Sequence, residues 1–130
     1  MYGSIRTTKT NKELVTRLTN KLGLGAENVI ARIALSYSLA TGEQLDLKLI
    51  GDNNGKEYAF RVLFGEYAEL YVAMVACHYR LYKTDKDIVR YIKMHIDHGL
   101  LLINSDIEKK YSLSGTDFLI NEIEKGMLNL

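Results

Sequence analysis

The stretch Asn11-Lys12-Glu13-Leu14-Val15-Thr16-Arg17-Leu18-Thr19-Asn20-Lys21-Leu22-Gly23-Leu24-Gly25 decides the fold. Leu14, Leu18 and Leu22 fall four apart with Val15 beside them, while Lys12, Glu13, Arg17 and Lys21 fill much of the remainder. Residues four apart share a helix face, so this spacing predicts an amphipathic helix over about residues 11 to 22. Thr10 or Asn11 is its expected cap. Gly23 stands where a helix end wants a left-handed residue, and Leu24 is placed to fold back onto that end. A second helix is expected over about residues 26 to 41, with Ile30, Ile33, Ala34 and Tyr37 on one face and a stop near Gly42. Upstream, Ser4-Ile5-Arg6-Thr7-Thr8 is short, β-branched and loosely alternating, which suits a brief strand or extended arm.

Downstream the pattern changes. Leu45, Leu47 and Leu49 alternate, as do Tyr58, Phe60 and Val62, on either side of Gly51-Asp52-Asn53-Asn54-Gly55. Such turn chemistry between alternating runs predicts either a β-hairpin or an ordered loop. Residues 64 to 82 carry Tyr67, Leu70, Tyr71, Met74, Val75, His78 and Leu81 at helical spacing, the most apolar run and the expected core helix. Thr84 or Asp85 is expected to cap a further helix lined by Ile88, Tyr91, Ile92, His95 and Ile96 and interrupted at Gly99. A last helix from Ser114 would carry Leu119, Ile120, Ile123 and Met127.

These elements fit one domain over residues 1–130: an arm-helix-turn-helix unit (1–42), a hairpin or loop (43–63) and a helical part (64–130). At 130 residues and 14.8 kDa, two independent cores are not expected. With 47% hydrophobic and 25% charged residues the composition is that of a folded globular protein. The absence of proline favours a mainly α chain. One cysteine, Cys77, excludes a disulfide framework and a multi-cysteine zinc site. Residues 1–20 lack an apolar leader and no apolar run is long enough to span a membrane, so a cytoplasmic protein with no membrane partner is expected.

Net charge is only +1, but it is unevenly spread. Arg6, Lys9, Lys12, Arg17, Lys21 and Arg32 against Glu13 and Glu27 leave residues 1–32 four units positive. Residues 101–130 are two units negative. A basic head with an acidic tail points to a polyanion surface at one end, against the plainer alternative of an ordinary solvated face. An arm followed by two helices is also the layout of ribbon-helix-helix DNA binders, in which strands from two chains pair and enter the major groove. In that arrangement Arg6 and Thr8 share one face of the ribbon, and the amides near Ala26 to Asn28 meet phosphate.

The catalytic alternatives are weaker. His95 and His98 lie three apart with Asp97 between them, and Cys77 and His78 are further donor types, but the spacing matches no strong metal pattern. A packed His95 and a solvated His98 account for them as well. Asp52, Lys56 and Glu57 are ingredients of a metal-dependent phosphodiesterase, yet adjacent Lys56 and Glu57 would point to opposite faces of a strand. Cys77 sits in an apolar stretch, where a buried inert thiol is the default. No phosphate-binding loop or dinucleotide fingerprint is present.

Several blocks together resemble the DndE family of the DNA phosphorothioation (DNA sulfur modification) system. They are Ile5-Arg6-Thr7-Thr8-Lys9, Leu14 to Leu18, Leu22-Gly23-Leu24, Asn28 to Leu35, Gly55-Lys56-Glu57, Leu63-Phe64-Gly65-Glu66-Tyr67, His78-Tyr79 and His95-Ile96-Asp97-His98-Gly99-Leu100. The final 25 residues carry no part of the likeness. The resemblance implies a mainly α protein with a ribbon-helix-helix-like start packed on a C-terminal helical bundle. It implies a DNA-binding accessory subunit without an active site, metal or cofactor. Its partners would be double-stranded DNA, nicked duplex included, sulfurtransferase and ATPase-like sulfur-modification proteins, and further copies of itself, as a tetramer. On that view Lys9, Lys12, Arg17 and Lys21, with Arg6 and Arg32, meet DNA phosphates. Gly23 and Gly25, with Leu14, Leu18 and Leu22, serve structure and oligomerisation. The rival functions are a metal-dependent nickase of the same system and a scaffold with no DNA contact.

Overall fold

The structure is a computed structural model and describes residues 3–108 and 115–128. Strand β1 (Ser4–Arg6) leads into helices α1 (Lys9–Leu22) and α2 (Glu27–Ala40). A long connection with a 3-10 turn at Leu47–Leu49 reaches strand β2 (Glu57–Ala59). Helix α3 (Phe60–Phe64), a second 3-10 turn at Gly65–Tyr67 and helix α4 (Ala68–Tyr79) follow in direct succession. Helices α5 (Ile88–Glu108) and α6 (Gly115–Leu128) complete a mainly helical architecture, as the periodicity predicts.

The first two helices form for the reasons the sequence supplies, with one shift at the start. Leu14, Val15, Leu18 and Leu22 are all buried, so the leucine stripe is the inner face of α1. The cap is Thr8, not Thr10 or Asn11: its hydroxyl accepts from the Asn11 amide at 3.3 Å. Asn11 is instead drawn into the core by a partner on α5. Gly23 takes the left-handed conformation (φ 63°) and donates its N–H to the Thr19 carbonyl at 3.1 Å, ending the helix.

The segment between residues 45 and 63 is not a hairpin. Its second run pairs antiparallel with β1, with Ile5 opposite Tyr58 and both buried. The ribbon that a two-chain reading would build between copies is thus closed within one chain. The first run winds into a 3-10 turn, held by the Asp46 carboxylate accepting from the Lys48 amide at 2.9 Å. The intervening turn is fastened to the arm: the Thr7 amide donates to the Lys56 carbonyl, and the Lys56 amide donates to the Thr7 hydroxyl.

Several expectations about the later helices change. The core helix is α5, whose Ile88, Ile92, Ile96, Leu100 and Ile103 are fully buried. Helix α4 buries only Val72, Val75 and Ala76, and leaves Tyr67, Leu70, Met74 and Cys77 outward. Residues 68 to 79 are apolar on nearly every side, so spacing could not choose the face. Cys77 is therefore exposed, not a buried thiol. Gly99 does not interrupt α5 but lies in its middle, where α5 crosses α2. On α6 the buried side chain is Phe118, stacked on Tyr37 with centroids 6.0 Å apart, while Leu119, Ile120, Ile123 and Met127 face outward.

Candidate nucleic-acid interface

Helix α1 sets the basic side chains. The leucine stripe fixes one side of it against the core, so Lys9, Lys12, Arg17 and Lys21 are exposed. Lys9, Lys12 and Lys21 make no ion pair among the described residues. Arg17 reaches Asn104 on α5, its guanidinium donating to Oδ1 at 3.3 Å. Arg6 is paired with Glu57 across the two-stranded sheet at 3.2 Å, which neutralises it locally. Arg32 on α2 is half-buried. Lys12 and Lys21 stand about half a turn apart round the helix, so one copy offers scattered counter-charges and not a single row.

The two helix N-termini differ from simple phosphate cradles. At α1, two carboxylates already accept the free amides: Asp97 Oδ1 from Thr8 N–H at 3.2 Å, and Asp52 Oδ1 from Lys9 N–H at 2.9 Å. At α2 the cap residue is Ala26, which supplies no side-chain bond, and Glu27 occupies the first turn. Glu27 accepts from the Thr16 hydroxyl at 3.1 Å and the Tyr58 hydroxyl at 3.3 Å, with Lys56 Nζ at 3.8 Å. Burial first, and the Glu27 charge second, push the Tyr58 phenol well above its ordinary range.

The residues weighed for chemistry are occupied as structural links. Asp52 also accepts from the Asn54 amide at 2.9 Å, and these amide bonds hold its carboxyl below the usual range. Lys56 and Glu57 pair with Glu27 and Arg6 respectively, away from one another. Asp97 belongs to a buried network that sequence reasoning missed. Its Oδ2 meets Lys93 Nζ at 2.8 Å, and its Oδ1 accepts from Asn11 Nδ2 at 2.8 Å. Asn11 Oδ1 is buried without a hydrogen-bond partner among the described residues. The available signal was a charged pair four apart, Lys93 and Asp97, set among the apolar positions of α5.

The histidines form a second buried relay. Leu45 N–H donates to the Tyr79 oxygen at 2.9 Å, so the Tyr79 proton goes to His95 Nε2 at 2.5 Å. A neutral His95 then carries its proton on Nδ1 and donates to Ser38 Oγ at 2.7 Å. Ser38 in turn donates to His98 Nδ1 at 2.7 Å, and His98 Nε2 lies 3.4 Å from the Glu43 carboxylate. Burial, with His78 and His98 nearby, lowers the His95 pKa to about 4, which keeps it neutral. His95 is thus packed and hydrogen-bonded, and His98 is tied in, not solvated. His78 edges onto His95 at 5.3 Å, but Cys77 and Asp97 do not join the cluster. Among the described residues no group of three or more His, Cys, Asp or Glu is gathered as a metal site. No helix among them is long and apolar enough to cross a membrane.

This arm, helical hairpin and long central helix define a known small fold. The crystal structure of DndE from Escherichia coli B7A, involved in DNA phosphorothioation modification, superposes with a TM-score of 0.63 at 14% identity, covering 79% of this chain and 99% of that one. A double glycine-to-lysine mutant of DndE, also involved in DNA phosphorothioation, gives 0.65 at 15% identity over the same shares. The model of the DNA sulphur modification protein DndE family matches residues 4–111, and the chain belongs to that family. Family membership gives it a role in DNA phosphorothioation. No curated protein matches the chain. The family match ends before α6, which lies outside the shared region.

Proposed function

We propose that this protein is a DNA-binding accessory subunit of the phosphorothioation machinery. It holds the backbone of duplex DNA, nicked duplex included, and presents it to sulfur-inserting partners of the sulfurtransferase and ATPase-like kinds. It works in the cytoplasm as a homo-oligomer, with a tetramer as the expected size, and carries out no chemistry of its own. The observation that carries this reading is a contrast between two sets of residues. The α1 cations Lys9, Lys12 and Lys21 are exposed and unpaired among the described residues, while Asp52, Asp97, His95 and His98 are held in structural bonds. Phosphate counter-charges explain affinity and not sequence choice. Unpaired Lys side chains of this kind suit a polyanion better than a neutral partner.

The test is binding of labelled intact and nicked duplex as salt is raised, beside incubation of supercoiled DNA with magnesium or manganese. Salt-sensitive binding of every duplex sequence without strand cleavage is expected. Metal-dependent nicking would replace this reading with the nickase, and no binding at low salt would leave the scaffold.

A further inference from the structure

The outer side of α4 repeats apolar residues at a 3-4-3 spacing: Tyr67, Leu70, Met74 and Cys77. Tyr67 and Leu70 are more than half exposed, and Met74 and Cys77 are exposed as well. The 3-10 turn runs straight into α4, so Tyr67 extends the stripe by one position. At about 100° per residue the four lie about 140–220° round the helix from buried Val72, opposite the side that meets the core. This is the seam pattern of a helix that pairs with another helix.

Glu66 in the 3-10 turn, Ala73 in α4 and Arg80, the left-handed residue that ends α4, lie seven apart beside that stripe, and all are exposed. Neither Glu66 nor Arg80 makes an ion pair among the described residues. The flank is therefore acidic at its beginning, small in the middle and basic at its end. In an antiparallel helix pair this flank of one helix faces the same flank of the other, which sets Glu66 against Arg80 twice. A parallel pair would set the flank against Tyr71 and His78 and leave both charges unmatched. The register that aligns the charges also sets Tyr67 against Cys77, and Leu70 against Met74, of the second copy. Ala73 lets the two helices approach at the centre.

We propose that the outer face of α4 docks a second copy of this chain in antiparallel orientation, closed at both ends by Glu66–Arg80 pairs. The inference deepens the reading of the protein as a homo-oligomer and is independent of DNA contact through α1.

Cross-linking tests the register directly. Tyr67→Cys places a thiol opposite native Cys77 of the second copy, and mild oxidation should give a disulfide-linked dimer. Wild-type protein should not cross-link, because its own Cys77 thiols would lie roughly 15 Å apart along the pair. Leu70→Glu, at an exposed position that leaves the monomer fold intact, should lower the mass measured by light scattering. Glu66→Arg should weaken self-association about fivefold, and Glu66→Arg with Arg80→Glu should restore it. Absence of the Tyr67→Cys cross-link, or an unchanged mass for Leu70→Glu, overturns the proposal. Salt-dependent DNA binding measured on the same variants distinguishes that failure from failure of the DNA reading.

Discussion

Gly99 on α5 lies directly against the backbone of Ala34 on α2. A Cβ at position 99 would run into the Ala34 carbonyl and sit 2.8 Å from Ala34 Cα. The glycine therefore sets the distance between the two most extensively packed helices of the molecule. Gly99→Ala must push α2 and α5 apart or bend one of them, and should cost about 3 kcal/mol. Gly126→Ala on α6, where nothing lies within 4 Å of the new Cβ, is the matched control and should leave stability unchanged or slightly raised. Urea unfolding of both variants checks this.

Acid should weaken the fold through His95. Its folded pKa, about 4, lies below the ordinary value of 6.5, so the unfolded chain binds the proton more readily. Stability is complete above about pH 6.5 and is lost as pH falls from there towards 4, by on the order of 3 kcal/mol across the window. A protonated His95 can no longer accept from Tyr79, so the contact with Leu45 should loosen with it. Unfolding free energies measured from pH 7.5 to 4.5 should show this slope, and His95→Gln should flatten it.

The Lys93–Asp97–Asn11 network should behave as a buried pair with a shared acceptor. Asp97→Ala strands the Lys93 ammonium and removes the acceptor of Asn11 Nδ2 and the Thr8 amide, at a cost of about 3–5 kcal/mol. Asp97→Asn keeps the shape but drops the charge and should cost less. Denaturant titration of the two variants orders them. An Asp97→Ala protein as stable as wild type would mean that the network contributes nothing.

Gly23 separates conformational strain from crowding. Its φ is 63°, yet a Cβ there meets nothing within 4 Å. Gly23→Ala should thus cost about 1 kcal/mol through backbone conformation alone, and Gly23→Asn less. Thermal unfolding of the two variants compares them.

Much of this arrangement is legible in the sequence. The leucine stripe, the Gly23 turn and the second helix each follow from a local rule, and each is found. What escaped depends on contacts between distant residues. The 57–59 strand alternates as a hairpin arm would, but only pairing with residues 4–6 shows where it goes. Gly99 reads as a break because a helix-interior glycine usually weakens a helix; its use is visible only once Ala34 lies beside it. Residues 68 to 79 are apolar all round, so the choice between a core face and an outer face belongs to α5, which fills the interior. Leu14, Leu18 and Leu22 are packed inside their own chain, so this stripe is not an open face. For the candidate site, exposed cations on α1 follow directly from the helix pattern. The partners of Arg6 and Arg17, and the bonds that tie Asp52 and Asp97 to the start of α1, lie 40 or more residues away and do not.

Affinity for duplex DNA as a function of salt tests the central claim most directly. It should be measured for wild type, Lys9→Ala, Lys12→Ala, Arg17→Ala and Lys21→Ala, with Glu122→Ala and Glu124→Ala on α6 as controls. Each α1 change should weaken binding to all duplex sequences alike. Each should also lower the salt slope by roughly 0.9, per bound copy, for every phosphate left without its counter-charge. The two α6 changes should not weaken binding. Unchanged affinity and slope in all four α1 variants would contradict a DNA surface built on this helix.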